Sequence, residues 1–214
     1  MPRTLFDELP MGSRLALAYA LPAVRPVTLA LLALDARLGA IVRRGSEPVL
    51  AQMRLAWWRD LLSTEPASWP HGDPLLELLS LWHEPAALGA VVESWEALLG
   101  DSLDARSISA FGLGRGEAFA HLARELCEEA PPAAACGQLW ALADLAANLS
   151  DPGERAAAIE AAALLPPCRK LPRALRPLAV LAGLARRSLA RGSPPLLDGP
   201  GTMLLAMRLG ITGR

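Results

Sequence analysis

Apolar side chains recur at spacings of three and four along most of this chain, and the runs are punctuated by an acidic residue followed by proline: Glu47-Pro48, Asp73-Pro74, Glu84-Pro85 and Asp151-Pro152. A three-four repeat gathers apolar groups on one side of a helix, whereas a strand would need alternation. An acid followed by proline suits a helix start, because the acid sits where capping groups are useful and proline lacks only an N–H that would go unpaired in the first turn. Composition removes the main competitor. Alanine and leucine supply 83 of the 214 residues while valine, isoleucine and threonine together supply 16. Strong helix formers abound and strand formers are scarce, so we expect an all-α chain. Its length fits one domain, a helical bundle of about nine helices. With 52% hydrophobic and 20% charged residues, it is not a disordered chain.

The repeat and its punctuation divide the chain. Val27, Leu31, Leu34, Leu38, Ile41 and Val42 mark one helix. After a turn at Gly45, Leu50, Met53, Trp57, Trp58 and Leu61 mark the next, and the two are expected to pack antiparallel at the centre, with both indoles buried. Short helices follow Asp73-Pro74 and Glu84-Pro85, the latter ending at Gly100. Asp104 opens a long helix to about Glu129 that contains Gly112, Gly114 and Gly116, and 133–149 forms another. Asp151-Pro152 caps an alanine-rich helix that ends at Pro166-Pro167. The segment from Pro172 to about Arg191 should be kinked or split by Pro177. Residues 192–201 read as a loop before a short helix near 202–209. Leu15–Val24 reads as a helix of the mature chain, since Asp7 and Glu8 spoil the positive leader of a signal peptide. No apolar run reaches the length of a membrane-spanning helix.

Net charge is -1, but residues 1–60, 61–154 and 155–214 carry +3, -12 and +8. The acidic and basic parts should attract each other or partners of opposite sign. Twenty of the 21 basic residues are arginine, a bias typical of GC-rich coding. Cys127, Cys136 and Cys168 show neither Cys-x-x-Cys nor nearby histidine, which argues against a zinc site or disulfide framework and for a reducing compartment. His71, His83 and His121 are too scattered to pair. The three glycines lack a preceding strand and a Gly-Lys-Ser/Thr, so they read as points of close helix approach rather than a phosphate loop. The acid groups Asp73/Glu77, Glu93/Glu96, Asp101/Asp104 and Glu125/Glu128/Glu129 read as solvated helix surface.

Residues 31–60, with Ser46-Glu47-Pro48 and the Arg54-x-x-Trp57-Trp58-Arg59 pattern, resemble the N-terminal signature of the squalene/phytoene synthase family. Trp95–Glu117, with Phe111 and Arg115-Gly116, is similar to the family's next conserved stretch, and Gln138–Leu145 and Leu171–Arg191 are similar to its last two core helices. The resemblance implies an isoprenoid synthase fold around an apolar cavity. Active members join two prenyl diphosphates head to head and hold Mg²⁺ on two Asp-rich motifs. Here the first motif falls on Gly39-Ala40-Ile41-Val42-Arg43, and the second retains only Asp144. We therefore expect a non-catalytic member, similar in kind to the complex I assembly factors, that binds an isoprenoid, another lipid or a protein and uses no cofactor. Candidate signature or cavity residues are Arg54, Trp57, Trp58, Arg115, Gly116 and Asp144. The alternative is an active, Mg²⁺-dependent prenyltransferase in which Arg25, Arg43 and Arg44 hold the diphosphates. A third reading has the +8 segment meeting an anionic membrane surface. No nucleic-acid partner is expected, and the expected location is the cytoplasm, with or without membrane contact.

Overall fold

A computed structural model describes residues 4–44, 47–100, 102–192, 196–197 and 199–213. Among them there is no strand, and eleven α-helices follow one another: α1 (Leu5–Glu8), α2 (Met11–Leu17), α3 (Arg25–Arg44), α4 (Pro48–Leu62), α5 (Pro74–Leu79), α6 (Gly89–Glu96), α7 (Ala105–Glu125), α8 (Ala130–Asn148), α9 (Pro152–Ala163), α10 (Arg176–Ala190) and α11 (Pro200–Thr212). The chain is all-α, and one continuous cluster of buried side chains draws on all eleven helices.

The starts follow the capping chemistry. Asp73, Asp104 and Asp151 each accept a backbone N–H of the first turn with their side chains, at α5, α7 and α9. Glu47 stands at the N-cap of α4 without such a bond. Pro177 splits its segment as expected: a 3-10 turn over Arg173–Leu175 precedes α10, and the proline sits in that helix's first turn. Gly45 and Ser46, where the turn between α3 and α4 is expected, lie outside the described residues.

Three expectations need correction. The Leu15–Val24 helix is instead α2, which stops at Leu17, and turns run to Val24. Pro22 explains this, because proline disfavours helical backbone at the residue before it and offers no N–H to continue the ladder. The α3–α4 pair is not the centre. The most intimate packing joins α7 to α8, with α6, α9 and α10 around that pair. Glycine permits it: a β-carbon at Gly116 would lie 2.8 Å from the Ala134 carbonyl oxygen, and one at Gly114 would lie 2.5 Å from that of Ala90 on α6. Finally, Trp58 is 6% exposed but Trp57 is 48% exposed. Adjacent helical residues diverge by about 100°, and α4 is covered on one side only, so just one indole reaches the core.

Candidate functional site

Three helices deliver charged side chains to one interior point: Asp35 from α3, Arg115 from α7 and Asp144 from α8. Arg115 is 2% exposed, among the largest fully enclosed side chains of the molecule. Its Nη2 donates to Asp35 Oδ2 at 2.7 Å and its Nη1 to Asp144 Oδ2 at 3.0 Å. The second Asp35 oxygen accepts the Trp95 indole N–H at 2.9 Å. Aromatic rings surround the cation, with the guanidinium carbon 4.0 Å from the Trp140 ring centre, 5.0 Å from Phe111 and 5.3 Å from Trp95. Arginine suits this place because its planar fork can serve two carboxylates while its faces lie against rings.

Burial pushes the Asp35 carboxyl above its usual range, against the opposing pull of Arg115. Burial also penalises the Arg115 cation, but the two carboxylates outweigh it, and the guanidinium holds its proton more tightly than it would in water. The cluster lines a cleft of about 410 Å³, together with Ser13, Ala36, Arg43, Trp95, Trp140, Asn148, Leu196 and Leu197 among others. Its volume lies in the range of small-molecule sites. Arg43 extends over the Trp95 ring at 5.5 Å. Gly39 makes room for both, since a β-carbon there would lie 2.8 Å from the Arg43 guanidinium and from the Trp95 ring.

Of the residues singled out from the sequence, Arg115, Asp144 and Arg43 meet at this cleft. Gly116 serves helix packing against α8. Arg54 and Trp58 line a separate groove with Glu8 and Arg37, and Trp57 faces outward from α4. Arg25 lies over the Phe6 ring at 5.9 Å and does not line the cleft. The Arg44 side chain and Asp101 lie outside the described residues. Sequence reasoning missed Asp35 as a site residue. A trace of it was present, since an acid directly after Leu34 and three residues before Leu38 sits at the edge of a helical face otherwise made of leucine and alanine.

Several acids read as surface are tied to structural roles. Asp73 binds Arg37 at 2.6 Å, Glu96 binds Arg59 at 2.9 Å and Glu125 meets His83 at 2.6 Å. The sequence also gave no hint that Cys136 and Cys168 meet. Both line a small depression with Arg186. Their mutual hydrogen bond pushes the Cys136 thiol up and holds the Cys168 thiol below the usual range.

No protein-family model, curated protein or solved structure matches this chain. A Mg²⁺ cluster of the kind the resemblance implies does not fit the donors of the site. Both inward carboxylates are already engaged by Arg115, and among the described residues no three His, Cys, Asp or Glu side chains converge. The described lining also contains no histidine, cysteine or lysine. The arrangement is suited to holding a guest by shape, aromatic contact and hydrogen bonds.

Proposed function

We propose that this chain is a non-catalytic, squalene/phytoene synthase-like binding protein whose cleft takes the apolar tail of an isoprenoid or another lipid. The observation that carries this reading is the Arg115 guanidinium, placed between Asp35 and Asp144. Ionising an allylic diphosphate leaves negative charge on the departing oxygens, and preorganised cations must meet it there. In this cleft the carboxylates that could recruit such cations are spent on an internal arginine. The walls offer Trp95, Trp140, Leu196 and Leu197 to an apolar guest, with Arg43 near a polar head.

Titration calorimetry with farnesol and with farnesyl diphosphate tests the reading, alongside an assay for pyrophosphate release in the presence of Mg²⁺. Saturable binding is expected, with release no higher than background. Ala147→Trp, which fills part of the cleft, should abolish the binding. Failure of both compounds to bind would overturn the lipid assignment. Mg²⁺-dependent release that is lost in Asp144→Asn would restore the active prenyltransferase.

A protein partner is the second reading, favoured by α4. Val49, Leu50, Met53 and Trp57 form an exposed apolar stripe on it, and a half-exposed tryptophan is a common anchor of protein interfaces.

A further inference from the structure

Helix α11 turns an apolar face outward. Met203, Leu204, Met207 and Ile211 are 52%, 67%, 49% and 68% exposed. At about 100° per residue these four positions form a single stripe, on the side away from Thr202, Ala206 and Leu209, which are buried. The helix is firmly docked by that inner side. It packs on α10 and α2, Leu209 fills the space over Gly183, and Gly210 lies against the Tyr19 ring. The outward stripe therefore belongs to a seated helix.

Among the described residues the charged side chains near the stripe are mostly basic, although Glu128 and Glu129 share a depression with Lys170. Pro200–Thr212 contains no acid and one basic residue, Arg208. At the end of α11, Arg169, Lys170 and Arg186 line a depression of about 150 Å³ with Leu209 and Gly213. Arg187 lies against Gly201 and Arg176 against Gly213, one at each end of the helix. Among the described residues none of these five cations forms an ion pair with a carboxylate. Residues 155–214 as a whole carry ten basic and two acidic side chains. The α4 stripe lacks this basic excess, because Asp60 and the Arg59–Glu96 pair balance the charge of its neighbourhood.

We propose that α11 is a membrane-surface contact that lays Met203, Leu204, Met207 and Ile211 into the headgroup boundary of an anionic bilayer, with the exposed Arg169, Lys170 and Arg186 facing the lipid phosphates. Flexible unbranched and branched aliphatic side chains suit disordered acyl chains, and the cationic surroundings supply the attraction that four apolar side chains alone would lack. No helix among the described residues is long and apolar enough to cross a membrane, so this contact lies along the surface. It is independent of what the cleft holds.

Co-sedimentation of the full chain with vesicles tests the proposal, using pure phosphatidylcholine against an equal mixture of phosphatidylcholine and phosphatidylglycerol. At low salt the mixed vesicles should bind at least about tenfold more protein, and salt should release it. Leu204→Asp/Met207→Asp should lose the binding while keeping a wild-type circular dichroism spectrum, and Met53→Asp on α4 should bind as wild type. If the aspartates unfold the chain, the milder Leu204→Ser/Ile211→Ser decides in the same way. Equal binding to both vesicle types, or unchanged binding by the α11 variants, would overturn the proposal. So would a dimer in light scattering that the α11 substitutions dissociate, since the stripe would then be covered by a second copy.

Discussion

Without the Arg115 guanidinium, Asp35 and Asp144 would lose the cation that both of them engage. Breaking a buried ion pair from one side costs far more than the pair contributes, so Arg115→Met should destabilise by about 3–5 kcal/mol in urea unfolding at neutral pH. The pH dependence has a definite sign. The pKa of Asp35 is raised in the folded state, so its contribution to stability is complete below the unfolded value and is lost as pH rises through the folded one. Removing Arg115 removes the main opposing pull and raises that pKa further. The variant should regain stability on acidification more steeply than wild type, and an equal pH slope for the two would contradict the account. Arg115 and Asp144 were legible in the sequence through the segments that carry the family resemblance. Asp35 was not, because periodicity assigns a residue to a face and is silent about a partner 80 positions away.

At the scale of elements, α4 shows where pattern reading runs out. Its boundaries follow from Pro48 and the leucine spacing, yet the sequence does not say whether the helix is covered on one side or two. The structure covers one, with Ala51, Leu55, Trp58 and Leu62 inward. The two indoles meet edge to face at 5.1 Å, so they touch while differing in burial. Trp58→Ala should therefore cost about 3–5 kcal/mol, the range for a core aromatic, whereas Trp57→Ala should stay within about 1 kcal/mol. Thermal melts of the two variants check the contrast, and comparable losses would mean that α4 is covered on both sides. Helix starts were the most legible feature, because caps are local chemistry. The end of α2 was less so, since an apolar run continued past the point where Pro22 interrupts the backbone.

Across the whole molecule, the order of helices was readable and their neighbours were not. The charge distribution predicted that the acidic middle and the basic last third would attract each other or partners of opposite sign. The described ion pairs between segments join N-terminal Arg37 and Arg59 to Asp73 and Glu96, and bring Arg115 to Asp35. Helix adjacency was hidden for a steric reason: Gly112, Gly114 and Gly116 announce a close approach, but which backbone approaches is settled by the fold. The interior arginine also has a consequence in time. Its two carboxylates stand 29 and 80 positions away along the chain. Arg115 and Asp144 belong to α7 and α8, which are joined by a short connection and can meet early, whereas Asp35 waits for a much longer loop to close. In stopped-flow refolding, Trp140→Phe should slow folding and Asp35→Asn should mainly speed unfolding. The reverse pattern would mean that α3 joins before the α7–α8 hairpin is built. On the expected order, the cation at the centre of the bundle acquires its second partner only when α3 closes onto the α7–α8 pair.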